Sequence, residues 1–193
     1  GYQHALVIGA ETLSKMMDWT DRSTCVLFGD GAGAAVLSVS EEDGILSMVQ
    51  GSDGFRGDVL NCMARKVNNP YKKNDMALSY VSMNGQEVYR FAVKTVPKAV
   101  TDAVERAGLH LEEIDLFLLH QANYRIIEAV SKRLGQPMEK FPTNLEECGN
   151  ISAASVPILL DNVNNHGMMR KGMKIVLEGF GAGLTWGATV INW

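Results

Sequence analysis

The segment LFLLHQANYRIIEAV, residues 116–130, constrains the fold most strongly. Its four apolar residues, Leu116 to Leu119, predict a buried strand, and apolar residues at helical spacing follow from Tyr124 to Leu134. A polar turn that begins with His120 joins the two elements. Because ligands collect at the carboxyl ends of strands in open α/β sheets, His120 is a candidate catalytic residue. A structural histidine is the alternative at this position.

The rest of the chain repeats this alternation of strand and helix. Strands are predicted at 5–8, 25–28, 34–39, 45–49, 174–178 and 185–191. Helices are predicted at 86–107, with a kink or interruption at Pro97 and an end at Gly108, and from 152 to about 164. Residues 51–75 show no period and are predicted to be irregular. The pattern indicates an α/β protein with helices covering a sheet.

Composition excludes several classes of function. A net charge of -4 provides no overall basic field for nucleic acid. The three cysteines form no C-x-x-C pair, which argues against a disulfide framework or a zinc site and favours a reducing cytoplasm. No apolar run approaches the roughly 20 residues of a membrane span, and no signal peptide is visible. Gly1 stands only a few residues before a strand, so we expect a further segment upstream.

Two glycine-rich stretches resemble each other. VLFGDGAGAAVL at 26–37 and LEGFGAGLTWGATV at 177–190 both read as a strand, a G-x-G-A-G turn and a second strand. Their similarity suggests a duplicated fold whose first half is incomplete here. The first stretch also fits a dinucleotide fingerprint, but a strand-like run follows where the phosphate site needs a helix. Close backbone packing at a tight turn is therefore favoured over nucleotide binding.

Two further segments carry candidate functional groups. Asn150 lies in CGNISAAS, just before a predicted helix, where an asparagine serves either as a turn or cap residue or as a neutral donor. The loop 179–183 has backbone N–H groups and no bulky side chain except Phe180, so it suits either a tight turn or an oxyanion.

Taken together, five motifs identify a family. LLHQANYRI, GNISAASVP, LEGFGAGLTWG, TDRSTCVLFGDGAGAAVL and MNGQEVYRFAV resemble β-ketoacyl-acyl-carrier-protein synthase III, the condensing enzyme of the thiolase superfamily that starts fatty acid synthesis. The resemblance runs from about Ala5 to the C-terminus and is weakest between Asp53 and Tyr80. It implies an α/β, thiolase-like fold of duplicated half-folds in α-β-α layers. Residues 1–43 would end the first, incomplete half-fold, and 44–193 would form the second.

The resemblance also implies a role for each matched residue. His120 and Asn150 would stabilise the enolate formed when malonyl thioester loses CO2, and the turn Gly181-Ala182-Gly183 would supply an oxyanion-hole N–H. The residues expected to bind coenzyme A or substrate are Arg22 on the adenine, Gly85, Gln86 and Asn123 along the channel, and Phe180 beside the acyl group. Exposed Arg125, Lys132 and Arg133 would receive the acidic acyl carrier protein, although a solvated charged face is the simpler reading of these residues.

The resemblance places the nucleophilic cysteine before Gly1, at a helix N-terminus. None of Cys25, Cys62 and Cys148 matches it, so this chain alone is expected to lack condensing activity. The implied substrates are acyl-CoA, with acetyl-CoA as primer, and malonyl-acyl-carrier protein. No cofactor is implied beyond the coenzyme A thioester, and the intact protein would be a homodimer. The alternatives are a related acyltransferase with another acyl-CoA and a non-catalytic nucleotide-binding or interaction module around 29–33.

Overall fold

The structure, a computed structural model, describes residues 1–62, 71 and 79–193. In these residues the strands are β1 (His4–Thr12), β2 (Asp30–Ser38), β3 (Ile45–Ser52), β4 (Leu60–Asn61), β5 (Ser82–Met83), β6 (Leu116–Leu119), β7 (Lys174–Gly181) and β8 (Thr185–Asn192). β1 and β2 form an antiparallel pair, as do the short strands β4 and β5. The main sheet has the order β3-β8-β7-β6, with β6 parallel to β7 and the other pairs antiparallel.

Three of the four helices in the described residues lie close to their predicted positions, and one, at 145–148, was not predicted. The helices are α1 (Gly85–Arg106), α2 (Tyr124–Leu134), α3 (Leu145–Cys148) and α4 (Ser155–Asn165), and a short 3-10 turn, Ser152–Ala154, leads into α4. Local capping explains the sharp bounds of α2, because the Asn123 side chain accepts from the Arg125 N–H and Gly135 ends the helix at φ 65°. Gly108, at φ 71°, follows the end of α1 in the same way.

Pro97 was predicted to kink or interrupt its helix, and the interruption does not occur. α1 is one continuous helix of 22 residues with Pro97 inside it. Val96 and Val100, on either side of the proline, are buried in the core that α1 forms with the main sheet. Tertiary packing of this apolar face therefore maintains the helix despite the hydrogen bond that proline removes.

The elements pack in layers on both faces of the main sheet. On one face, α1 and α2 cover a core that includes Phe117, Val176 and Val190. On the other face, α4 packs Leu159 and Val163 against alternate residues of the same strands. α4 also contacts β1 and β2, so this helix lies between the main sheet and the β1–β2 pair. β6 is buried on both faces, which explains its continuous apolar sequence.

The first glycine stretch differs from its prediction. Residues 25–27, predicted to belong to a strand, lie in turns, and Phe28 forms an isolated bridge with Asn150. Gly31 and Gly33 lie inside β2 instead of a turn. Asp21 favours the turns, because its carboxylate accepts from the Ser23 N–H at 2.9 Å and from the Thr24 hydroxyl at 2.8 Å. The expected close backbone packing is present, since a Cβ on Gly33 would lie 2.9 Å from the Ile158 nitrogen in α4.

The second glycine stretch was predicted more successfully. Its strands extend further than expected, and β7 and β8 form a hairpin whose turn lies between Gly181 and Thr185. In the segment predicted to be irregular, Gly51 and Ser52 end β3, and 54–59 are helical turns of the 3-10 type that precede β4. The remainder of that segment lies outside the described residues, apart from Cys62 and Tyr71.

Candidate active site

Two cavities meet at the carboxyl ends of β6 and β7. The larger has a volume of about 570 Å³ and the smaller about 200 Å³. Both are lined by the same six residues, which therefore form a wall between them: Phe28, Leu60, His120, Asn150, Phe180 and Gly181. The structure thus brings both candidate catalytic side chains to one place, although they are 30 residues apart in sequence.

His120 is held at the strand end by its backbone and by an aromatic neighbour. Its N–H donates to the Glu178 carbonyl of β7 at 2.9 Å, which extends the β6–β7 ladder by one residue. The rings of His120 and Phe180 pack edge to face, with their centroids 5.2 Å apart. Burial lowers the pKa of His120 to about 4. At neutral pH the imidazole is therefore uncharged, with one ring N–H as donor.

Asn150 is fixed through both its backbone and its side chain. Its N–H donates to the Leu27 carbonyl at 3.0 Å, and its carbonyl accepts from the Gly29 N–H at 2.8 Å. The side-chain oxygen accepts from the Ser152 N–H at 2.9 Å. This bond fixes the orientation of the amide, and no described residue accepts from its NH2 group. Asn150 therefore retains donors for a ligand in the adjoining cavities.

The predicted oxyanion loop is divided between a strand and a turn. Gly181 ends β7 opposite Thr185, and the Thr185 hydroxyl donates to the Ala182 carbonyl at 3.0 Å. Leu184, next in the turn, exchanges two backbone hydrogen bonds with Asp53, of 2.8 and 2.7 Å. Gly181 and Ala182 line the larger cavity, whereas Gly183 lines neither cavity. The loop is thus anchored on both sides of the turn.

Most of the predicted binding residues lie around the smaller cavity. Gly85 and Asn123 line it, although the Asn123 side-chain oxygen is engaged in capping α2. Arg22 is exposed and immediately precedes Ser23, which also lines this cavity. Gln86 is exposed and lines neither cavity, so the structure does not bring it to the site.

Phe180 occupies a central position in an aromatic cluster. It lines both cavities and packs against His120 and, at a centroid distance of 6.2 Å, against Phe91 of α1. Trp186 of β8 also packs on Phe91 and lines the larger cavity. The sequence analysis did not predict this role for Trp186.

The predicted basic patch lies on the outer side of α2. Arg125, Lys132 and Arg133 are all exposed. Lys132 forms an ion pair with Glu128, one helical turn earlier, at 2.8 Å. The net positive charge of this helix surface therefore rests mainly on the two arginines.

Sequence reasoning missed Ser152 and Glu178. Ser152 orients Asn150, and the N-x-S spacing, typical of a side-chain-to-backbone turn, was an available signal. Glu178 is 1% exposed, and the signal for it was a single acid after the apolar run Ile175 to Leu177 in the strand KIVLEGFG. No sequence signal marks Phe28 or Leu60 as part of the wall.

The three thiols are free and differ in their access to the site. Cys62 lines the larger cavity, and its thiol donates to the Ser79 carbonyl at 3.3 Å. Cys25 and Cys148 line neither cavity.

In the described part of the chain, His, Cys, Asp and Glu form no group of three that would suit a metal ion. A search of the same residues finds no helix with the length and apolar character required to cross a bilayer.

Comparison with known proteins shows similarity to one family over most of the chain. The family model described as 3-oxoacyl-[acyl-carrier-protein] synthase III matches residues 1–54, and the model for the C terminal of the same synthase matches 104–193. Beta-ketoacyl-[acyl-carrier-protein] synthase III of Clostridium acetobutylicum is 49% identical over 193 residues, which are the whole of this chain and 59% of the relative. The protein of that name from Clostridium kluyveri is 51% identical over 191 residues, or 99% of this chain and 59% of the relative.

The fold is similar to solved structures with the same name. The crystal structure of beta-ketoacyl-[acyl carrier protein] synthase III from Thermus thermophilus superimposes with a TM-score of 0.90 at 45% identity. The superposition covers 99% of this chain and 59% of that chain. The chain therefore spans about three-fifths of the length of the relatives it matches. These matches in sequence and structure show that the chain belongs to the 3-oxoacyl-[acyl-carrier-protein] synthase III family.

Proposed function

We propose that this chain provides the decarboxylation site of a condensing enzyme that joins acetyl-CoA, as primer, to malonyl-acyl-carrier protein and so starts fatty acid synthesis. One observation supports this proposal above all. His120 and Asn150 both line the wall between the two cavities, and each has an N–H group that no described residue accepts. Two neutral donors beside one cavity suit a reaction in which negative charge develops on a thioester oxygen.

In the proposed first step, the bond between the malonyl α-carbon and its carboxylate breaks and CO2 leaves. The electron pair enters the thioester as an enolate, whose oxygen accepts hydrogen bonds from His120 and Asn150. The low pKa of His120 is compatible with this role because the uncharged imidazole keeps one ring N–H as a donor. Donors of this kind are each worth about 3 kcal/mol of barrier when they are aimed at the developing charge.

In the second step the enolate carbon attacks an acyl thioester, a carbon–carbon bond forms, and the thiolate leaves as the tetrahedral oxyanion collapses. The turn Gly181-Ala182-Gly183 is proposed to supply an N–H to that oxyanion. The acyl group is proposed to be carried by a cysteine supplied from outside this sequence, since Cys25 and Cys148 do not line the site. Cys62 does line it and is therefore tested directly below.

The smaller cavity is the proposed entrance for the phosphopantetheine arm. Gly85 and Asn123 would border the arm, and Arg22 would stack on the adenine of coenzyme A. Phe180 would separate the arm from the acyl group in the larger cavity.

The remaining assignments concern partners and organisation. Arg125, Lys132 and Arg133 are proposed to attract the acidic carrier protein. The intact protein is proposed to be a cytoplasmic homodimer that needs no cofactor beyond the thioester substrates. Residues 1–43 and 44–193 are proposed as parts of two half-folds, because β1 and β2 pair with each other and not with the main sheet.

The experiment that tests the proposal is release of labelled CO2 from malonyl-acyl-carrier protein and from malonyl-CoA, with circular dichroism as a check of folding. We expect release by the protein and a loss of roughly 100-fold or more in His120→Ala and in Asn150→Ala. Asn164→Ala, an exposed residue of α4, is the matched control and should retain the rate. A folded protein without release above the uncatalysed rate, or His120→Ala at full rate, would refute the proposal.

A companion measurement addresses the cysteine. The protein is incubated with acetyl-CoA and analysed by mass spectrometry, with Cys62→Ala in parallel. We expect no stable acylation of either protein. Acylation that is lost in Cys62→Ala would instead make Cys62 the nucleophile and would overturn the assignment of that role to a residue outside this sequence.

A further inference from the structure

Glu178 is a buried acid without a counter-charge in the described structure. Glu178 is 1% exposed, and neither of its carboxyl oxygens has a hydrogen-bond partner among the described residues. Buried carboxylates in proteins are normally paired or hydrogen-bonded, because removing an unpaired charge from water is costly. An unpaired acid in this position therefore requires an explanation beyond packing.

The backbone of Glu178 holds the candidate histidine. Glu178 lies beside Leu119 in the parallel register of β6 and β7, and its carbonyl accepts the His120 N–H at 2.9 Å. Its side chain projects from the same face of β7 as Val176 and Phe180, since alternate residues of a strand share a face. Phe180, two residues later, packs on the His120 ring. The peptide of Glu178 thus holds the peptide of His120, while Phe180 contacts the His120 ring.

The elements packed beside Glu178 present mainly apolar side chains; a buried polar exception is Gln121, whose amide donates to the carbonyl of Leu119, the register partner of Glu178. β8 beside it carries no titratable residue, and the side chains of α1 and α2 buried against the sheet are apolar except Ser131. The charged residues of α1 point outward, where Glu87 pairs with Arg56 and Arg90. His120 is the titratable neighbour at the end of β6. Burial consequently raises the pKa of Glu178 to about 8, and the His120 peptide N–H only partly opposes this rise.

We propose that Glu178 is a positioning residue for His120, an uncharged carboxylic acid that holds the end of β6 and keeps negative charge away from the oxygen of the enolate. This inference rests on the proposed function. Glu178 lines neither cavity, but an ionised carboxylate on the strand next to β6, in a medium of low dielectric constant, would oppose the charge that develops during decarboxylation. It would also favour the imidazolium form of His120 and disturb the strand end that carries it.

The first experiment follows the NMR signals of the His120 ring as a function of pH. The protein is labelled with 15N-histidine and titrated by NMR, with the His120 ring assigned from its absence in His120→Ala. We expect the His120 signals to shift in one step near pH 8, as Glu178 ionises, while the ring stays neutral. In Glu178→Gln, which retains the size but cannot ionise, that step should disappear. Glu146→Gln, at an exposed acid of α3, is the matched control and should retain it.

The second experiment follows decarboxylation as a function of pH. For the wild-type protein we expect kcat to fall about tenfold between pH 7 and pH 9, as expected for one essential protonated group, with little change in KM. Glu178→Gln should retain most of its rate at pH 7 and lose this alkaline decrease. A residue that serves packing alone would leave the pH profile unchanged.

A third measurement does not depend on any variant. With 13C-labelled glutamate carboxyl groups, one carboxyl signal should titrate near pH 8 in the wild-type protein. The proposal is overturned if every carboxyl titrates below pH 6, or if Glu178→Gln keeps the step in the His120 spectrum. The NMR results require no turnover, so they separate a failure of this proposal from a failure of the proposed decarboxylation.

Discussion

At the residue scale, the strand end at β6 and β7 combines two buried groups whose pKa values shift in opposite directions. The pKa of His120 falls from 6.5 to about 4, and that of Glu178 rises from 4.5 to about 8, in both cases chiefly because burial disfavours the charged form. Both side chains are therefore neutral over several pH units around 7. Each shift also has a consequence for stability, because the unfolded chain restores the ordinary values.

The signs of these two consequences are opposite. His120 binds fewer protons in the folded protein than in the unfolded one. Its contribution to the free energy of unfolding is therefore complete above pH 6.5 and is lost as pH falls toward 4. Glu178 binds more protons in the folded protein, so its contribution to the free energy of unfolding is complete below pH 4.5 and is lost as pH rises toward 8. Between pH 5 and pH 7 the two effects are each about 2 kcal/mol and nearly cancel.

The resulting prediction is a pair of opposite pH slopes in the two single variants. Wild-type unfolding free energy should be nearly constant from pH 5 to pH 7. In His120→Gln it should fall by about 2 kcal/mol as pH rises over this range, and in Glu178→Gln it should fall by about the same amount as pH decreases. Urea unfolding at several pH values measures both slopes, and His166→Gln, at an exposed histidine, is the control. Equal slopes in the two variants would contradict the argument.

At the element scale, the structure shows which parts of the fold local sequence determines. The predicted bounds of β6 and α2 match the structure because an apolar run, an Asn cap and a terminal glycine all act within a few residues. The prediction failed at 25–28, where Asp21 stabilises turns through side-chain hydrogen bonds. It failed again at Pro97, where packing against the sheet outweighs the local preference.

The candidate site also contains residues that the sequence singled out and residues that it did not. The sequence identified His120 and Asn150, since each follows or precedes a regular element and belongs to a recognisable motif. The wall residues Phe28 and Leu60 were missed because ordinary apolar side chains become part of a site only through tertiary contacts. The glycines of β2 were predicted to form a turn, but their role is to allow the close approach of α4, which is a tertiary contact.

This reading of the β2 glycines makes a prediction. In Gly33→Ala the new Cβ would lie 2.9 Å from the Ile158 nitrogen and 3.0 Å from the Pro157 Cβ, so α4 must shift. We expect a loss of about 1–3 kcal/mol in unfolding free energy, as for other overpacked sites. Gly179→Ala is the control, because this β7 glycine has no atom within 4 Å of its Cβ position. The reading would be wrong if both variants were equally stable in urea.

At the scale of the whole molecule, the β1–β2 pair is covered on one face only. Gly9 and Gly33 face the segment that contains Ala153 and Ile158, and this side is closely packed. The opposite side presents Leu6, Ile8 and Val36, which are 62%, 61% and 68% exposed. Leu6 and Val36 are directly paired across the strands, so these three side chains form one apolar strip. Contiguous exposed apolar surface of this kind is uncommon in a stable monomer.

The strip leads to a prediction about the behaviour of the protein in solution. A dye that fluoresces on apolar surfaces should bind the folded protein, and the fluorescence should fall several-fold in the triple variant Leu6→Thr, Ile8→Thr, Val36→Thr. Threonine has the β-branched shape that suits a strand, so the pair itself should persist in the circular dichroism spectrum. Val26→Thr, at an apolar residue 67% exposed within the turns, is the control and should change the fluorescence little. If the triple variant bound the dye as strongly as the wild type, the dye would bind elsewhere, and the prediction that this strip is an exposed apolar surface in solution would be wrong.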